Sequence, residues 1–183
     1  MGRAAGKRKA GDRLALAVAT CGVGYLPLAP GTWGSAVGVG LYLLFDSVSV
    51  RLMTDGAMRG WDASALTSLR TSGLLLLVIL IWLAGIWAAT RAEGLLGCKD
   101  PSAVVIDEVA GQLMTFLFAP SNTGKWTVVV GFIAFRAFDI WKPYPIRRLE
   151  ALESGLGTMA DDALAGAYAA ALVSLFITIQ LWL

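Results

Sequence analysis

Residues 103–119 read AVVIDEVAGQLMTFLFA, an apolar stretch with Asp107 and Glu108 set inside it. Such a stretch predicts a helix at bilayer depth, where about 20 mainly apolar residues make a crossing and about 17 still suffice. An ionised carboxylate at mid-helix in lipid costs ~2.5–3.5 kcal/mol, so acids placed there are usually paired and functional. The pattern recurs outward along the chain. Asp139 lies in GFIAFRAFDIW, and Asp161 with Asp162 opens DDALAGAYAAALVSLFITIQLWL. Further apolar stretches at 33–50, 73–90, 126–141 and 162–183 bring the expected crossings to five. Ahead of them, residues 14–28 are apolar but short and carry Gly22, Gly24 and Pro27. That predicts a re-entrant or interfacial half-helix, since broken backbone at membrane depth must be covered by protein or water. The longest connectors are expected at 47–72 and 142–160, the first polar and on the outer side.

Composition agrees with a membrane protein. The 183 residues are 57% hydrophobic and 15% charged, with a mean hydropathy of +0.68, which is too apolar for an ordinary soluble domain. The expected fold is therefore all-α: a polytopic helix bundle formed by residues 14–183, behind a basic tail at 1–13. Arg3, Lys7, Arg8, Lys9 and Arg13 crowd that tail. They suit a cytoplasmic anchor on anionic head groups better than a nucleic-acid arm. The start imitates a signal peptide, but no small-x-small cleavage site follows before PLAPGTWGS leads into the next apolar run. Cys21 and Cys98 are far apart, with no metal spacing, and both are expected as buried small hydrophobes.

Charge asymmetry predicts the orientation. With residues 33–50 as the first crossing from inside, the tail, Arg91, Lys99, Lys142, Arg147 and Arg148 fall on the cytoplasmic side. They outnumber Arg51, Arg59, Arg70 and Lys125 outside, in accord with the positive-inside rule. Asp107 and Glu108 then open an in-to-out helix, Asp139 closes an out-to-in helix, and Asp161 and Asp162 open the last one. All five carboxylates meet at the cytoplasmic boundary.

Each motif alone has a bland reading. Acids at helix N-termini complement the helix dipole, and Asp139 can pair with Arg136 one turn back. Asp107 and Glu108 point about 100° apart, so at most one is expected at the centre of a site. Taken together, carboxylates without any histidine in the chain point to a hard cation such as Mg²⁺, which takes a few carboxylates plus substrate phosphate. Arg136, Lys142, Arg147 and Arg148 are placed to hold anionic oxygens, Arg through bidentate contacts. The segment from Pro30 to Ser35 precedes a helix, with Thr32 a plausible N-cap and Gly31 allowing close approach of phosphate to backbone N–H groups. Phosphohistidine chemistry, a cysteine-nucleophile phosphatase and a Gly-Lys-Ser/Thr loop all lack their residues.

The stretches LAPGTWGS (28–35), VVIDEVAGQ (104–112), FRAFDIWKPYPIRRLE (135–150) and GLGTMADDALAGAYAA (155–170) carry a family resemblance. The sequence resembles the phosphatidylglycerophosphatase A family, bacterial membrane phosphatases that convert phosphatidylglycerol phosphate to phosphatidylglycerol. The resemblance implies an Mg²⁺-dependent phosphomonoesterase at the cytoplasmic leaflet of the inner membrane. It points to Asp107, Glu108, Asp139, Asp161 and Asp162 as the acidic positions, with Thr32, Arg136 and Lys142 beside them.

The expected metal set is Asp107, Glu108, Asp139 and Asp162. Within it Asp107, Asp139 and Asp162 come first, with Glu108 or Asp161 as base or supporting partner. Gly31, Thr32, Ser35, Arg136, Lys142 and Arg147 are the expected substrate-binding residues. The partners are the phospholipid and the bilayer, with no nucleic acid; a homo-oligomer is compatible with this reading. The alternative is a proton- or cation-coupled transporter built on the same carboxylates, which the gathering of acids at one boundary disfavours.

Overall fold

The computed structural model describes residues 9–122, 124–149 and 151–182. Arg3, Lys7 and Arg8 of the basic tail and Leu183 of the final apolar stretch lie outside the described residues. The described residues form helices and connecting turns, with no strand among them. The helices are α1 (Ala10–Thr20), α2 (Pro30–Met58), α3 (Ala63–Leu96), α4 (Ile106–Thr115), α5 (Lys125–Trp141), α6 (Ile146–Leu149) and α7 (Ser154–Trp182).

Three of them, α2, α3 and α7, are long and apolar enough to cross a membrane. At 1.5 Å per residue, α2 and α7 each reach about 43 Å and α3 about 51 Å, more than the ~30 Å hydrocarbon core. The stretch at 103–119 behaves differently from the expected crossing. Its helix, α4, has ten residues and extends only about 15 Å. It is buried nearly all round, with Ile106, Val109, Ala110, Leu113 and Thr115 packed inside, and it touches α2, α3, α5 and α7. An apolar helix of about 10–14 residues suits a protein interior better than a crossing. This one is a short central helix wrapped by longer ones. With 17 residues, α5 is at the lower limit for a crossing.

The connectors also differ from expectation. Residues 47–58 continue α2, and Asp62 starts α3 by accepting the backbone N–H groups of Ser64 (2.9 Å) and Ala65 (3.2 Å). An Asp N-cap satisfies otherwise unpaired first-turn donors. The polar stretch is thus a helical hairpin joined by only 59–62. Residues 142–160 hold α6 and the first two turns of α7, so Asp161 and Asp162 sit inside that helix rather than opening it.

One buried ion pair ties the far ends together. Arg70 on α3 binds Asp46 on α2 (2.8 Å) and donates to the Ala119 carbonyl (2.6 Å), while Asp46 Oδ2 accepts the Asn122 N–H (3.1 Å). The α4–α5 turn is thereby fastened to the α2–α3 hairpin. That hairpin then runs on to Met58, about 18 Å further along α2. Arg70, expected as an outer topology charge, is 6% exposed and structural. At the opposite end Arg91 of α3 binds Asp12 of α1 (2.6 Å). There too Gly155 N–H donates to Thr90 Oγ1 (3.1 Å).

Candidate active site

Three carboxylates converge where α4 meets α7. Ligand oxygens of Asp107, Glu108 and Asp162 lie within 4.8 Å of one another. The first turn of α4 supplies Asp107 and Glu108, where acids suit the helix dipole. The Val105 N–H donates to the Ala19 carbonyl (2.8 Å), which pins that turn to the end of α1. Asp162 comes from α7 across an unusually close helix contact. A methyl group on Gly166 would overlap the Gly111 carbonyl, and one on Gly111 would come within 2.6 Å of the Asp162 carbonyl. Only paired small residues let two helix backbones approach so closely. Both Asp107 and Glu108 reach the cluster, against the expectation that only one would. The extra methylene of Glu108 lets reach, rather than Cα direction, decide.

The cluster has unused donor capacity. Asp107 and Asp162 are 8% and 3% exposed. One oxygen of each residue, Asp107 Oδ1, Glu108 Oε2 and Asp162 Oδ2, is buried without a hydrogen-bond partner. Three such carboxylates repel one another, and burial removes the water that would screen them. A cation would relieve both costs, so these residues could hold a metal ion; an all-oxygen set suits a hard one.

Cations border the cluster on the α5 side. Arg136 pairs with Asp139 through Nη1, which also stands 3.8 Å from Glu108 Oε1. Its Nε is buried and unpartnered. Lys142, in the left-handed conformation that ends α5, donates from Nζ to Asp161 Oδ2 (2.7 Å). Asp161 Oδ1 accepts the Asp162 N–H (3.0 Å). Asp139 and Asp161 therefore each neutralise a cation beside the cluster.

The α2 segment divides into near and far residues. Gly31 packs directly on Glu108 Oε1 and Arg136 Nη1. Ser35 is buried and donates its Oγ to the Gly31 carbonyl (2.9 Å). Thr32 is exposed and is not the N-cap. Ala29 holds that position, with Pro30 leading the helix; the fixed φ and missing N–H of proline suit the first turn. Arg147 is exposed on α6 and lines a cavity with Lys142. Cys21 donates to the Val18 carbonyl (3.4 Å), and burial pushes its thiol up to about 11, so it is no nucleophile at neutral pH. Cys98 is exposed, not buried as expected.

Sequence reasoning missed Gln112, one turn beyond Glu108 and fully buried with both amide atoms unpartnered. A lone amide inside an apolar stretch was the available signal. It also missed the Gly111–Gly166 contact, whose spacing is invisible until the two helices are placed together.

Gly31→Ala should leave a folded protein and lower kcat/KM on the order of 10²-fold, because the methyl group displaces the Glu108 carboxylate. Misplacement of a reacting group by about 1 Å has that order of effect. Steady-state kinetics with a thermal melt checks it; an unchanged kcat/KM would show that Glu108 has room to move.

The fold and site define a class: a helical membrane protein with a buried carboxylate cluster flanked by arginine and lysine. The family model described as Phosphatidylglycerophosphatase A matches residues 16–177, and the chain belongs to that family. Similar proteins include a putative phosphatidylinositol-3-phosphatase of Bacteroides thetaiotaomicron, 37% identical over 84% of this chain and 86% of that protein. A phosphatidylglycerophosphatase A of Haemophilus influenzae is 32% identical over 88% and 85% of the two chains. That of Escherichia coli is 29% identical over 83% and 76%. No solved structure matches. The chain is an enzyme, a phosphatase that hydrolyses phosphoric monoesters.

Proposed function

We propose that this chain removes the terminal phosphate of phosphatidylglycerol phosphate at the cytoplasmic leaflet of a bacterial inner membrane. Asp107, Glu108 and Asp162 would hold Mg²⁺, with Asp139 beside them. The observation that carries the reading is the set of three buried, unpartnered carboxylate oxygens next to Arg136. When bound, Mg²⁺ polarises a phosphoryl oxygen and lowers the pKa of a bound water. Arg136, whose Nη1 stands between Glu108 and Asp139 and whose Nε has no partner, orients the phosphate. Asp161 holds Lys142 beside the cluster with one oxygen and accepts the Asp162 N–H with the other, so it would position that lysine rather than bind the metal. The bare backbone at Gly31 leaves room for the Glu108 carboxylate itself, beside Arg136.

Two relatives named phosphatidylglycerophosphatase A support this substrate. A third is named for a phosphatidylinositol 3-phosphate activity. Both names describe one chemistry, a monoester phosphate on the head group of a lipid phosphodiester. The inward orientation rests on Arg91, Lys99, Lys142, Arg147 and Arg148 at the site end of the helices.

The test is phosphate release from externally added phosphatidylglycerol phosphate, phosphatidylinositol 3-phosphate and phosphatidic acid, in inverted and right-side-out vesicles, with Mg²⁺ or excess EDTA. The first lipid should react fastest, only in inverted vesicles, and not in EDTA. Full activity in EDTA would remove the metal, faster turnover of the inositol lipid would change the substrate, and activity in right-side-out vesicles would reverse the orientation. Release from none of these lipids would favour cation-coupled transport.

A further inference from the structure

We propose that the cavity lined by Lys142, Tyr144, Arg147 and Arg148 holds the phosphodiester of the lipid substrate, one glycerol bridge from the phosphate that is removed. It would select lipids that carry two phosphates. The inference rests on the substrate reading above and adds where its second phosphate goes.

The cavity measures about 440 Å³, within the range of small-ligand sites. That is room for a phosphodiester with its glycerol but not for acyl chains. Its described lining carries three cations and no carboxylate. Lys142 links it to the catalytic cluster, because its Nζ contacts Asp161, whose neighbour Asp162 belongs to that cluster. For a substrate phosphate over the carboxylates, the cavity across Lys142 would be the basic site open to the next phosphate of the same molecule.

Two of the cations are held in place, Lys142 by Asp161 and Arg148 by Tyr144. The Arg148 guanidinium lies 4.9 Å from the centre of the Tyr144 ring and donates to the Tyr144 hydroxyl (3.3 Å). Tyr168 on α7 donates its hydroxyl to the Tyr144 carbonyl (3.2 Å), which fastens the loop to the helix carrying Asp161 and Asp162. A stacked guanidinium keeps its donor edge free for a phosphate. The level is also right. Trp141 and Tyr144 are 70% and 73% exposed, as expected of aromatic side chains at a membrane–water interface. Phosphates of bilayer lipids lie at that level.

The experiment uses the purified full chain with Mg²⁺ and compares wild type with the Arg147→Ala/Arg148→Ala and Arg147→Lys/Arg148→Lys double variants. One arm reads kcat/KM for phosphatidylglycerol phosphate relative to phosphatidic acid, which has a monoester and no diester. The other reads calorimetric binding of dioctanoyl phosphatidylglycerol, which has the diester and no monoester. The alanine variant should lower the ratio about tenfold, mainly through KM, and weaken phosphatidylglycerol binding about tenfold, as loss of charge-assisted hydrogen bonds does. The lysine variant should recover much of both. An equal fall on both substrates, or binding indifferent to the arginines, would make them topology anchors and overturn the proposal. The binding arm needs no turnover. Arginine-dependent binding by a chain that releases no phosphate would sink the substrate reading while this site stood; normal turnover with arginine-independent binding would do the reverse.

Discussion

Asp162→Asn is expected to lower turnover on the order of 10³-fold while the protein stays folded in the membrane, the scale seen when one group aimed at developing charge is lost. Asparagine matches the size of the buried side chain, so packing between α4 and α7 is kept. It removes the charge of a carboxylate that belongs to the cluster and has one oxygen, Oδ2, without a hydrogen-bond partner. A second readout separates this from damage to the fold. Without metal, losing one of three crowded carboxylates relieves repulsion, so the melting temperature should hold or rise. In the wild type, added Mg²⁺ should raise the melting temperature by mass action, and the variant should lose most of that rise. Asp107→Asn should behave alike. Near-normal rates with an intact Mg²⁺ response would mean that the cluster is structural.

Arg70→Ala should have the largest effect on stability, about 3–5 kcal/mol, because it strands a buried carboxylate. Asp46 would lose its partner, and the Ala119 carbonyl would lose the Arg70 donor. The variant should accumulate poorly and be cleaved readily by added protease in detergent. Asp46→Asn combined with Arg70→Met should recover most of the loss, since an uncharged pair leaves no stranded ion. Wild-type accumulation and melting of Arg70→Ala would show that the pair adds nothing. Asp46 is about 24 Å along α2 from its first turn, so any protein that remains folded should retain its kcat.

The clustering of acids was easier to read than the architecture. Acids in apolar stretches stand out because lipid penalises them, and charge asymmetry led to the expectation that Asp107, Glu108, Asp139, Asp161 and Asp162 share one side. The structure brings three of them together and gives Asp139 and Asp161 to Arg136 and Lys142. Whether a stretch faces lipid or protein was less legible. Residues 103–119 have the hydropathy of a crossing, but α4 earns that composition by being enclosed in other helices. The partner of Arg70 was hidden for a related reason: a charge near a helix end looks like a topology signal alone unless Asp46, 24 residues earlier in the chain, is known to lie against it. The α2–α3 hairpin was taken for a loop because its residues are polar, and helices that lie beyond a core need no apolar face.

The contact between Gly111 and Gly166 divides the sequence into two populations under different rules. The separation between α4 and α7 is set by main-chain atoms meeting, with no side chain acting as a spacer. Residues on the outer faces, such as Leu75, Leu80, Leu175 and Ile179, are exposed and carry no information about the gap between the carboxylates. Substitutions in that lipid-facing coat should leave the gap as it is, whereas a methyl group at either glycine should force the two helices, and the carboxylates they carry, apart.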